Sequence, residues 1–131
     1  MRGILVDTSV WIDFFNNNDL PQVSTLRNHL LSSSICLCPP IVQEVLQGFR
    51  SDVQFQQTKE MLLTLEILIS DPLYVAVEAA ELFRSLRKKG VTIRKPNDCI
   101  IAWYAIKNKV KLLQNDSDFE LIAKHSDLEL A

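Results

Sequence analysis

Short apolar runs alternate with longer stretches in which apolar residues recur at helical spacing, and this alternation predicts the elements of the fold. Ile4 to Val6 is a β-like run ended by Asp7-Thr8-Ser9, whose small polar side chains suit a helix N-cap ahead of Val10 to Phe15. Asn16 to Leu20 predicts a turn, Pro21 opens a second helix through Leu31, Ser32 to Ser34 closes it, and Ile35 to Cys38 follows as a strand. Pro39-Pro40 pre-sets the first turn of a helix whose Ile41, Val42, Val45, Leu46 and Phe49 form one apolar stripe. The helical pattern continues from Ser51 to Leu68, and Asp71-Pro72 opens a further helix that runs through Lys89 and stops at Gly90. Asn97 to Asn108 is apolar on nearly all sides, which predicts a buried helix. Val110 to Leu113 then reads as a buried strand, Asp116 to Lys124 as a helix and Asp127 to Leu130 as an edge strand.

Strands and helices in alternation point to an α/β protein, a three-layer α/β/α sandwich around a mainly parallel central sheet, with residues 1–131 as a single domain. A chain of 131 residues that is 47% hydrophobic suits one such domain and needs no staples to build its core. Sixteen acidic against fourteen basic residues give a formal charge of -2, so any contact with nucleic acid must be local rather than a whole-molecule basic field. Cys99 to Ile106, the longest apolar run, falls far short of the ~20 residues that cross a bilayer. Ile4-Leu5-Val6 is too short for a signal-peptide core, so the expectation is a cytoplasmic protein with no membrane contact. Cys36, Cys38 and Cys99 sit in apolar runs without a C-x-x-C spacing, and read as reduced core thiols rather than zinc ligands.

In parallel sheets ligands bind outside the carboxyl ends of the strands. Asp7, Glu44, Asp98 and Asp116 or Asp118 all fall at strand ends or in the first half of the helix that follows, so the fold would gather them at one rim. Two unit charges ~5 Å apart repel by ~3 kcal/mol at an effective dielectric of ~20, so protonation or a cation must relieve such a cluster. Oxygen donors without nearby histidine or thiolate favour Mg²⁺ or Mn²⁺ over Zn²⁺, and the chemistry that suits them is phosphodiester hydrolysis. Gly48, four residues beyond Glu44, could leave room beside that carboxylate.

Four ordered motifs carry a resemblance that spans essentially the whole chain. Ile4-Leu5-Val6-Asp7-Thr8-Ser9-Val10-Trp11-Ile12-Asp13 resembles the first motif of PIN-domain ribonucleases, especially the VapC toxins of bacterial toxin–antitoxin pairs. Glu44-Val45-Leu46-Gln47-Gly48-Phe49-Arg50 is similar to the second motif, Asn97-Asp98-Cys99-Ile100-Ile101-Ala102 to the third, and Leu112-Leu113-Gln114-Asn115-Asp116-Ser117-Asp118-Phe119 to the fourth. The resemblance implies a divalent-metal-dependent endoribonuclease, using Mg²⁺ or Mn²⁺, that cuts RNA and is silenced by a small VapB-like antitoxin. Asp7, Glu44 and Asp98 would be its principal acidic residues, with Asp116 as the fourth and Asp118 as the fallback. Ser9 and Thr8 would be supporting hydroxyls. Gln114 departs from the family's frequent threonine, and Cys99 from its common alanine.

Each of these residues also has a plainer reading: Asp7 as a helix cap, Glu44 as a solvated helix residue, Asp98 as a favourable first-turn charge, and Asp116 or Asp118 as turn and cap residues. Arg94 and Lys95 could lead an RNA backbone to the rim or serve as a solvated helix end, while Arg87, Lys88 and Lys89 fit the second description. Trp11, Phe14 and Phe15 crowd the first helix, which predicts a homodimer contact there. Two other functions compete. A phosphotransfer domain lacks the adjacent acidic pair it needs; a non-catalytic PIN-like interaction module would not require Asp7, Glu44 and Asp98.

Overall fold

The computed structural model describes residues 3–32 and 34–131; Met1, Arg2 and Ser33 lie outside the described residues, and with Ser33 goes part of the expected stop after the second helix. Strands β1 (Ile4–Val6), β2 (Ile35–Leu37), β3 (Glu66–Ile67) and β4 (Leu112–Leu113) form one sheet in the order β3-β2-β1-β4, with every pairing parallel. The helices among the described residues are α1 (Thr8–Phe15), α2 (Pro21–Ser32), α3 (Pro39–Gln47), α4 (Asp52–Leu62), α5 (Pro72–Lys88), α6 (Pro96–Asn108) and α7 (Ser117–Lys124). They flank the sheet as a three-layer α/β/α sandwich, with α1 against α2 and α3, α3 against α4 and α6, and α6 against α5 and α7. Every residue of β1, β2 and β4 is buried, as expected of parallel strands covered on both faces. Parallel pairing also makes each strand exit on the same side of the sheet, and that geometry brings distant carboxylates together.

Proline and glycine punctuate the helices where the sequence suggests. Pro39 and Pro72 sit in a first turn as expected, and so does Pro96, which opens α6 one residue ahead of the expected Asn97; the missing N–H costs nothing there. Gly90 (φ 85°) ends α5 in a Schellman arrangement: its N–H donates to the Arg87 carbonyl, and the N–H of Val91 to that of Leu86. Gly3 meets a different demand. A Cβ there would collide with the Ser34 carbonyl, where the chain comes in beside β2.

Four expectations need correction. The helix foreseen over Ser51 to Leu68 ends at Leu62, and Glu66–Ile67 becomes the edge strand β3, paired with Cys36 and Leu37. A short apolar run does not reveal its own period, and here the open edge of β2 decided it. Asp127 to Leu130 makes a single parallel bridge, Leu112 to Leu130, rather than a strand. Trp11 cannot face a second protomer: it is fully buried and its indole N–H donates to the Val6 carbonyl (3.1 Å). Phe14 and Phe15 are partly buried against the core beside it, which leaves Ile12 as the large apolar side chain exposed on α1; others stand exposed on α5, at Leu73, Tyr74 and Val77. Gly48 is not needed to make room for Glu44, because a Cβ there would meet only carbonyls of its own helix at ordinary contact distance.

Candidate active site

The end of β1 places Asp7 at the middle of the sheet's carboxyl rim. Its backbone N–H donates to the Leu113 carbonyl of β4 (2.9 Å), and its Oδ2 accepts the N–H (3.0 Å) and the hydroxyl (2.6 Å) of Ser9. Asp7 therefore caps α1 and belongs to the rim at once. Burial pushes its carboxyl pKa up, the Ser9 bonds pull it back, and the charge on Glu44 raises it further. Thr8 reaches across to α3, where its hydroxyl donates to Glu44 Oε1 (2.7 Å). The other Glu44 oxygen, Oε2, accepts from Asn97 Nδ2 of α6 (3.4 Å).

Asp98 stands apart from these. It lies in the first turn of α6, is 5% exposed, and its Oδ2 is the one buried side-chain polar atom among the described residues with no hydrogen-bond partner. An orphaned buried acceptor costs ~1–3 kcal/mol. Burial, then the charges of Asp7 and Asp116, push its pKa up to about 7; Lys95 partly offsets them and Glu44 adds to them. Asp7, Glu44, Asp98 and Asp116 thus act on one another electrostatically, as the rim argument requires. No group of three or more His, Cys, Asp or Glu side chains among the described residues stands in metal-ligand geometry. The donor set nevertheless suits a hard divalent cation, since it is made of carboxylate oxygens and one of them is buried and unsatisfied. Cys38, also at the rim as the α3 N-cap, offers no thiolate: burial drives its pKa upward.

The fourth motif folds around its own side chains. Gln114, where the family often has threonine, accepts the Asp116 N–H on Oε1 (2.6 Å), and Asp116 Oδ1 accepts the Asp118 N–H (3.0 Å) to cap α7. Asp118 is buried and takes the Arg94 Nε–H on Oδ2 (3.2 Å). Lys95 Nζ lies 3.7 Å from Asp116 Oδ2, so both expected RNA-contact residues stand at the rim, paired with its carboxylates. Asn97, Gln114 and Asn115 lie inside the third and fourth motifs, but their hydrogen-bonding roles do not follow from the sequence. Asn115 donates its N–H to Ser9 Oγ (3.0 Å) and its side-chain amide to Asp13 Oδ2 (3.0 Å), which ties α1 to the loop after β4. Their only signal was adjacency to a candidate carboxylate.

The profile of the PIN domain family matches residues 4–125. Ribonuclease VapC11 of Mycobacterium tuberculosis is 32% identical over 130 residues, 98% of this chain and 97% of that protein; a VapC ribonuclease of Mycobacterium bovis matches to the same extent. VapBC2 from Rickettsia felis, solved bound to a DNA fragment from its promoter, shares the fold with a TM-score of 0.75 at 22% identity, covering 98% of this chain and 96% of its own. A toxin–antitoxin complex from Klebsiella pneumoniae aligns with a TM-score of 0.61 at 25% identity, over 89% of this chain and 90% of its own. A profile match across nearly the whole chain, joined to 32% identity at full coverage, places this chain in the PIN-domain family, among its VapC members.

Proposed function

We propose that the protein is an endoribonuclease that hydrolyses RNA phosphodiester bonds with a divalent cation at the acidic rim, and that it acts as the toxin of a pair neutralised by a VapB-like antitoxin. The observation that carries this reading is Asp98, a buried carboxylate with a bare oxygen set among the charges of Asp7, Glu44 and Asp116. Its relatives are named ribonucleases, and the Rickettsia and Klebsiella structures of the same fold are toxin–antitoxin complexes. No helix among the described residues is long and apolar enough to cross a membrane, which fits an enzyme that meets RNA in the cytoplasm.

Asp7, Asp98 and Asp116 would hold Mg²⁺ or Mn²⁺ with Glu44 beside them. When bound, such an ion makes water a usable nucleophile at neutral pH and offsets charge developing on the phosphoryl oxygens. The chain's own contribution is positional. Ser9 fixes Asp7 through two hydrogen bonds, while Thr8 and Asn97 hold the two oxygens of Glu44 from opposite helices. Locked carboxylates keep their geometry as charge shifts, so little reorganisation accompanies reaction. With its pKa pushed up to about 7, Asp98 would give up its proton to a bound cation at little cost near neutral pH.

An antitoxin needs an apolar foothold and a cation. A groove of about 520 Å³ between α1 and α2, lined by Phe14, Phe15, Arg27, Leu30 and Leu31, offers the first, and the acidic rim attracts the second. The test is RNA cleavage with and without chelator, beside Asp98→Asn. Cleavage that chelator and the substitution both abolish supports the enzyme; a parent that neither cuts RNA nor gains thermal stability with Mn²⁺ is a non-catalytic module instead.

A further inference from the structure

The geometry points to Arg94 as the residue that receives an RNA phosphate at the acidic rim, and to Asp118 as its anchor rather than a ligand for metal. This rests on the ribonuclease reading above. A phosphate approaching the rim meets Asp7, Glu44, Asp98, Asp116 and Asp118, in a chain whose net charge is already -2. Local positive charge must come from somewhere, and the Arg94 guanidinium and the Lys95 ammonium are the groups paired with these carboxylates.

The two cations are held differently. Lys95 Nζ stands 3.7 Å from Asp116 Oδ2, a loose pairing of an exposed ammonium with a half-buried carboxylate. Arg94 donates Nε–H to Asp118 Oδ2 at 3.2 Å and brings Nη2 to 4.0 Å from Asp116 Oδ1, while its side chain remains 71% exposed against 8% for that of Asp118. With the guanidinium side exposed, solvent screens the pair and it adds little stability. Its effect is order: a guanidinium otherwise free to sample many rotamers is held at the rim by a buried carboxylate. Nε is engaged and Nη2 lies 4.0 Å from Asp116 Oδ1, so with the side chain 71% exposed the planar fork can still turn its terminal amino groups to a phosphate. Asp116 acts on Asp98 electrostatically and Asp118 is committed to Arg94, so the fourth motif divides its two aspartates between metal and substrate.

The sign of one substitution separates this from simple electrostatics. Asp118→Asn removes a negative charge near the rim, so Coulomb repulsion alone predicts tighter RNA binding; loss of the anchor predicts weaker binding. The probe is a fluorescein-labelled single-stranded oligoribonucleotide, titrated by anisotropy in EDTA, with melting in Mn²⁺ recorded on the same proteins. Arg94→Ala is expected to raise Kd about 3- to 10-fold at every RNA sequence tried and to reduce the salt slope by about 0.7, the signature of one lost single-strand phosphate contact. Asp118→Asn should weaken binding in the same direction, and the double variant should bind no worse than Arg94→Ala alone. Both single variants should keep the Mn²⁺-induced rise in Tm, and in cleavage KM should rise by a larger factor than kcat falls. Tighter or unchanged RNA binding in Asp118→Asn, or loss of its Mn²⁺ response, overturns the assignment. A parent that neither binds nor cleaves the oligonucleotide overturns the ribonuclease reading, and this inference with it.

Discussion

Helices α5 and α6 pack against each other and both open on proline, yet they are built on opposite terms. At the start of α5, exposed Asp71 accepts the Tyr74 N–H on Oδ2 (2.9 Å), and at its end Gly90 takes the left-handed conformation that a glycine adopts without strain. At the start of α6, Lys95 provides no side-chain cap, Asp98 is buried with an oxygen unsatisfied, and at the end Lys109 takes a left-handed conformation (φ 55°) that costs a side-chain-bearing residue free energy. Helix α5 holds itself with local devices. Helix α6 is held by burial of Cys99, Ile101, Ala102, Trp103, Tyr104 and Ala105, and that packing tolerates an unfavourable charge in its first turn. An aspartate beside a helix-opening proline is therefore ambiguous by itself; burial and an unmet hydrogen bond separate Asp98, the proposed site residue, from the cap Asp71.

Substituting the two aspartates tests that contrast most severely. Asp98→Asn should lower RNA cleavage by roughly 100-fold or more, the scale on which a single well-placed electrostatic group acts. It should remove most of the Mn²⁺-induced rise in Tm and leave the metal-free protein at least as stable, because like-charge repulsion is relieved. Asp71→Ala should do the reverse, losing ~1 kcal/mol of stability with cleavage intact. An active, destabilised Asp98→Asn protein would break the comparison.

A pH series in EDTA sharpens it. Asp98 has its folded-state pKa raised from 3.8 to about 7, so its contribution to stability is fully present below pH ~4 and is lost as pH rises through ~7. At ~1.4 kcal/mol per decade this amounts to at most about 4 kcal/mol, with Asp7, also raised, acting in the same direction. Urea midpoints measured between pH 4 and 8 should fall with rising pH in the parent and in Asp71→Ala, and flatten in Asp98→Asn. A parent midpoint that climbs over this range would contradict the buried, repelled carboxylate.

Smaller effects probe the supporting contacts. Thr8→Val keeps the shape of the side chain but removes the donor to Glu44 Oε1, and should cost about 1 kcal/mol and lower cleavage severalfold with the fold intact by circular dichroism. Unchanged kinetics would mean that Asn97 alone positions Glu44. Lys109→Gly should raise stability by ~0.5–1 kcal/mol, seen as a few degrees in Tm, by relieving the left-handed strain at the end of α6. A loss would show that the Lys109 side chain contributes more than its backbone costs.

Some of this was written into local sequence. The small polar cap after β1, the prolines that open α2, α3 and α5, the glycine that stops α5 and the all-round apolar α6 are signals that act within a few residues, so they survive without tertiary context. The order of the four acidic motifs was legible too, because parallel topology brings strand ends to one rim whatever the details of packing. Long-range contacts decided the rest. β3 exists because β2 offers an open edge, and Trp11 turned inward because the Val6 carbonyl and the core were there to receive it. Thr8 meets Glu44 across 36 residues, Asn97 meets it across 53, and Ser9 meets Asn115 across 106. No periodicity or propensity encodes such partners, since a hydrogen bond depends on where two backbones cross. The unmet oxygen of Asp98 belongs to the same class: desolvation is a property of everything packed around a residue, and only the folded chain determines it.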